Sequence, residues 1–150
     1  MKSVLIKTKK LLAGDIIAAN RILYNHYGIY AGNGKVIHYT SDSYDFGVNV
    51  KVRETSLNQF VLGSEYKVLQ FEGNTDKVRQ FSREETVRRA RSRKGECSFN
   101  LIFNNCEHFA IWCKTGINKS LQAEKTICAV ALLSAAVFIK HLIFNSKKTS

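Results

Sequence analysis

Residues 104–113, NNCEHFAIWC, place two cysteines, a histidine and a glutamate among three bulky apolar side chains. Three uses fit those residue types. A thiol with an imidazole in reach can act as a nucleophile, thiols and an imidazole can hold zinc, and a cysteine can pack as a small apolar group. A nucleophilic thiol needs a lowered pKa and a base. Asn104-Asn105 is turn chemistry that can cap a helix, and Gly116 can end one. The expected helix runs from Cys106 to about Lys114, with Cys106 in its first turn, where orphan amides and the macrodipole favour an anion.

The base must come from elsewhere in the chain. His108 follows Cys106 by two residues, which on a helix turns it about 200° away. His26 and His38 flank a hairpin pattern, in which Tyr27–Ala31 and Lys35–Tyr39 are apolar runs joined by Gly32-Asn33-Gly34. In the resulting set Cys106 is the nucleophile, His26 the general base, and His38 the third member that orients His26 by a hydrogen bond. Zinc competes for Cys97, Cys106, His108 and Cys113, but these contain no Cys-x-x-Cys knuckle, so neither metal nor cofactor is expected. Cys113 reads as a core thiol. For Cys106 the packing role stays open at this level, because buried inert cysteines are common.

The elements that must position these residues are mostly strands. Asp15–Ile22, after Gly14, reads as a first strand, and Val48–Arg53 and Glu65–Phe71 alternate with period two. Together with the hairpin they make an antiparallel sheet. Ser82-Arg83-Glu84-Glu85 reads as a capping box that opens a helix to about Lys94, closed by Gly95. Ser98–Phe103 is a short strand or extended lead-in. Arg83, Arg88, Arg89, Arg91 and Arg93 form a basic surface, either a solvated helix face or a binding surface for RNA or anionic lipid.

A chain of 150 residues, 45% apolar and without proline, suits one compact domain. Lys and Arg outnumber Asp and Glu by 23 to 12, and the net charge of +11 favours anionic partners, a phospholipid or membrane surface or RNA. The cysteine spacing is not that of a secreted disulfide framework, and the first residues lack the apolar core of a signal peptide. Both point to reduced thiols and a cytoplasmic setting.

Residues 1–120 are expected to form the domain, and 121–150 a hydrophobic C-terminal helix with a basic tail. Its apolar run carries Ile127, Leu132, Leu133, Val137, Phe138 and Ile139 and is about 20 Å long as a helix, or about 28 Å when extended through Phe144. Membrane association is the expected role. Packing on the domain, or oligomerisation with a second copy through this helix, is the alternative.

Several motifs recur in a known order and spacing. They are Ala13-Gly14-Asp15-Ile16-Ile17, Asn25-His26-Tyr27-Gly28-Ile29-Tyr30-Ala31-Gly32, Val36-Ile37-His38-Tyr39, Glu84-Glu85-Thr86-Val87 with Ala90-Arg91-Ser92, Phe99-Asn100-Leu101, and Asn104-Asn105-Cys106-Glu107-His108-Phe109. Over roughly residues 11–120 the chain thereby resembles the lecithin:retinol acyltransferase-like (LRAT-like, H-box/NC) branch of the papain-related cysteine enzymes. The resemblance implies an α+β, circularly permuted papain-like fold. It also implies a phospholipase A/acyltransferase activity, in which an acyl group passes from a glycerophospholipid to Cys106 as a thioester and then to water or another acceptor. The motifs are shared with the H-box/NC type of picornaviral 2A protein found in parechovirus-like viruses, which this chain also resembles. That likeness implies a catalytically silent protein of the host cytoplasm that binds RNA or membranes and supports viral replication.

Overall fold

The computed structural model describes residues 2–7, 10–42, 49–72, 79–97 and 102–117. Six strands form one antiparallel sheet: β1 (Lys2–Ile6), β2 (Ile16–Arg21), β3 (Tyr24–Gly32), β4 (Lys35–Thr40), β5 (Lys51–Ser56) and β6 (Tyr66–Glu72), in the order β1-β6-β2-β3-β4-β5. The helices are α1 (Leu57–Val61), α2 (Arg83–Ser92) and α3 (Ile102–Thr115). The chain divides into two units, Met1–Lys119 and Ser120–Ser150. The second, with its expected hydrophobic helix from Ile127 to Phe144, lies outside the described residues, as do residues 98–101. Among the described residues no helix is long and apolar enough to cross a membrane.

Alternation along β3 and β4 sorts their side chains between two faces. Tyr27, Ile29, Ile37 and Tyr39 join Ile16, Ala18, Leu69, Val87, Ala90, Phe109, Ala110 and Cys113 in one core, so α2 and α3 cover that face. Ile17, Ala19, Val36 and Val68 join Phe60 in a second core, which places α1 on the other face. Phe60 has no exposed surface, and truncating such a side chain costs about 3–5 kcal/mol.

The lead-in to β2 explains its glycine. Gly14 has φ +85°, and a Cβ there would sit 2.7 Å from the Arg83 backbone at the start of α2. Its N–H donates to the Tyr30 carbonyl, Tyr30 N–H donates to the Asp15 carbonyl, and the Arg83 guanidinium reaches Asp15 Oδ1 at 2.5 Å. Only a residue without a side chain allows β2, β3 and α2 to meet this closely.

The expected hairpin forms with Gly28 opposite His38, and β6 starts one residue later than anticipated. β5 begins at Lys51 rather than Val48, because Asn49 has φ +62°, which breaks the extended run. Residues 43–48 lie outside the described set. α2 ends at Ser92, two residues early. The Ser82 hydroxyl accepts from Glu85 N–H as a cap should, but the Glu85 carboxylate turns to Arg88. The reciprocal box lies at α1 instead, where Ser56 and Gln59 satisfy each other's backbone amides. β1 and α1 have no counterpart in the sequence reading.

Candidate active site

His26 and His38 occupy adjacent strands and are both about 1% exposed. Their rings meet edge to face, with His26 Nε2 2.8 Å from His38 Nδ1. Phe60 supports both, its ring centroid 5.3 Å from that of His26 and 5.0 Å from that of His38. The far side of His38 meets β5, where Nε2 lies 2.8 Å from Thr55 Oγ1.

These contacts accommodate one directed set of tautomers. A Thr55 hydroxyl that donates to the Ser56 carbonyl, 3.3 Å away, accepts from His38, and in that arrangement His38 carries its proton on Nε2. Burial, and then the Arg21 charge, hold His38 down at about 3, so the ring is neutral and its Nδ1 accepts from His26 Nε2–H. His26 is held well below its ordinary value by burial and then by His38 and Arg21, so it too is neutral. Its lone pair is therefore on Nδ1. The polar chain His26–His38–Thr55 holds a buried imidazole in a defined orientation.

Cys106 is fully buried in the core beneath α3, which packs chiefly on β3. Tyr27 lies in that same core, and burial, followed by the charges of Glu107 and Cys106, raises its hydroxyl pKa. The structure thus joins His26 to His38 beside Phe60, and it sets Cys106 in the core of the other face of the sheet with Tyr27, the next residue of the same strand.

One expectation about Cys106 is corrected. α3 starts at Ile102, four residues early, so Asn104 and Asn105 lie inside the helix and Cys106 lies past its first turn. Asparagine's turn preference is weak enough for helix packing to override, and the macrodipole effect fades beyond the first turn. The helix end therefore contributes less to thiol acidity than Cys106 would receive as a capping position.

The remaining expected residues divide sharply. Cys113 is a buried thiol pushed up to about 12 by desolvation, whereas Cys97 is exposed beside β5. Among the described residues no group of three or more His, Cys, Asp or Glu side chains converges as a metal site.

Each of the five arginines has a partner within the fold. Arg83 binds Asp15, Arg88 binds Glu85, Arg91 binds Glu54 and Arg93 binds Glu96. Arg89 is sandwiched between Phe81 and Trp112, 4.3 and 3.9 Å from their ring centres, and donates to the Trp112 carbonyl. A polar cleft lined by Gly14, Asp15, Gln70, Gln80, Arg83 and Lys114 opens by the C-terminal end of α3, and neither Cys106 nor the histidine pair lines it.

The sequence reading missed Thr55 and Phe60. The Ser-x-x-Gln signature at Ser56–Gln59 marks the helix that carries Phe60 and could have revealed it. No local signal marks Thr55.

The family model for lecithin retinol acyltransferase matches residues 9–119. The chain belongs to that family. It is 32% identical to the lecithin retinol acyltransferase of Mus musculus over 142 residues, covering 80% of this chain and 61% of the relative. The Rattus norvegicus protein of that name is 33% identical over 136 residues, covering 76% and 58%. The Homo sapiens phospholipase A and acyltransferase 2 is 28% identical over 151 residues, covering 90% and 92%. This lecithin retinol acyltransferase family member spans about three fifths of the length of the first two relatives. The relatives' names place it in an acyltransferase and phospholipase family, and its histidine pair and Cys106 lie within the matched span.

Proposed function

We propose that this protein is a thiol-dependent phospholipase A/acyltransferase acting on glycerophospholipids at a membrane surface, with the circularly permuted papain-like fold of its family resemblance. The step requires the α3 segment to carry Cys106 Sγ to His26 Nδ1, which takes the thiol proton as sulfur attacks the ester carbonyl of a fatty acyl chain. As the tetrahedral intermediate collapses, the proton moves to the departing lysophospholipid oxygen and the acyl group stays on sulfur as a thioester. Water or an acceptor amine or alcohol, deprotonated by the same nitrogen, then takes the acyl group and frees the thiol. His38 and Thr55 hold the His26 tautomer through both halves.

The observation that carries this reading is the directed His26–His38–Thr55 chain, which leaves Nδ1 of a neutral, buried imidazole as the acceptor. Each of the five arginines has a partner within the fold, so RNA or an anionic lipid on that surface would compete with those partners.

The test is fatty-acid release from phosphatidylcholine vesicles by the full chain, together with detection of a hydroxylamine-labile acyl adduct. Wild type releases fatty acid and forms the adduct, whereas Cys106→Ala does neither. Absence of release by folded wild type would overturn the reading.

A further inference from the structure

Five large apolar side chains are exposed among the described residues, and the three most exposed gather at one end of the sheet. Ile22 is 102% exposed and Leu23 89%, together forming the tip of the two-residue turn between Arg21 and Tyr24, and Leu62 is 57% exposed at the end of α1. The Arg21 guanidinium ties the two places together by donating to the carbonyls of Phe60, at 2.6 Å, and Val61, at 3.2 Å.

Turn chemistry does not account for these residues. Two-residue hairpin turns favour glycine, asparagine and aspartate, and Ile22 and Leu23 have no positive φ that would impose a special choice. Leu62 occupies a left-handed position, φ +48°, that glycine or asparagine ordinarily fills. Two separate turns at one end therefore carry bulky apolar side chains where small polar ones are usual.

We propose that the Ile22-Leu23 tip, with Leu62 behind it, inserts among the acyl chains of a phospholipid surface and docks the protein there. The tip is convex, so it suits a deformable partner better than a folded protein, whose surface would need a matching pocket. The chain's excess of 23 basic over 12 acidic residues favours anionic headgroups around it. The inference rests on the proposed lipid substrate in one respect: His26 follows Leu23 by three residues on β3, so a docked tip holds the histidine pair close to the interface.

Leu23→Trp in the full chain tests insertion directly, because Trp112 is the chain's single tryptophan and wild type supplies the baseline. With vesicles of phosphatidylcholine and phosphatidylglycerol carrying brominated acyl chains, the variant's added fluorescence is expected to shift to the blue and be quenched beyond the wild-type level. No added quenching overturns the proposal, and so does concentration-dependent self-association abolished by Ile22→Asp/Leu23→Asp, which identifies a second copy as the occupant.

Activity supplies a separate measurement. Ile22→Asp/Leu23→Asp is expected to lower the ratio of vesicle to dispersed short-chain phospholipid hydrolysis about tenfold or more, as loss of two buried apolar side chains implies. An unchanged ratio overturns docking. Quenching does not depend on catalysis, so an inactive protein whose tip inserts would sink the enzymatic reading and leave this one standing.

Discussion

The His26 and His38 rings stand at 79° to one another with Nε2 and Nδ1 2.8 Å apart, inside a core that excludes water from both. Thr55, 2.8 Å from the far nitrogen of His38, is the group placed to set which way the proton between them points.

Thr55→Val removes the acceptor for His38 Nε2–H and leaves a buried donor unsatisfied, at a cost of about 1–3 kcal/mol. Nitrogen NMR of the imidazoles is expected to show His38 protonated on Nε2 in wild type and in Thr55→Ser, and mixed tautomers in Thr55→Val. Turnover should fall with the tautomer and return with serine. Equal tautomers in all three proteins would remove Thr55 from the mechanism.

Acid should destabilise the fold through these rings before carboxylates protonate. Both histidines have depressed pKa values in the folded state, so below the unfolded value near 6.5 the unfolded chain binds more protons. Stability is therefore complete above pH 6.5 and is lost toward lower pH at about 1.4 kcal/mol per unit for each ring. For His38 the window extends down to about 3. Urea unfolding between pH 7 and 5 should show this slope in wild type and a flatter one in His26→Gln/His38→Gln.

Gly28→Ala should be costly although Gly28 has an ordinary backbone. Its added Cβ would stand 2.7 Å from Val36 Cγ1, 3.0 Å from Phe60 Cε2 and 3.1 Å from His38 Cβ, crowding the support of the histidine pair. A loss of about 1–3 kcal/mol is expected. Val36→Ala should recover part of it in the double variant, a coupling measurable by urea unfolding.

Arg89 and Arg88 should behave oppositely. Arg89→Lys keeps the charge but gives up the flat contact with Phe81 and Trp112, for an expected loss of about 1–2 kcal/mol. Arg88→Ala breaks an exposed pair with Glu85 and should stay within about 0.5 kcal/mol of wild type. Similar losses in thermal unfolding would show that the stacking does not set Arg89 apart.

Much of the sheet was legible because its signals are local. The alternation in β3, β4 and β6 and the Gly32-Asn33-Gly34 turn each lie within a few residues, so pairing His26's strand with His38's needed no distant information. The same holds for Ser82 as the start of α2. The edge strand β1 and the five-residue α1 escaped because runs so short carry little periodicity.

The candidate site divides in the same way. Hairpin spacing paired His26 with His38, and the structure brings those two rings together, whereas for Cys106 the sequence left catalysis and packing both open and the structure shows its burial in the core with Tyr27. The folded chain alone brings Thr55 from β5 to His38, lays Phe60 across both rings, engages Arg83, Arg89 and Arg91 with Asp15, Trp112 and Glu54 far along the chain, and starts α3 four residues ahead of its apparent signal. Each of these depends on contacts between segments distant in sequence, where burial and long-range pairing outweigh the local preferences of a threonine, an arginine or an asparagine pair.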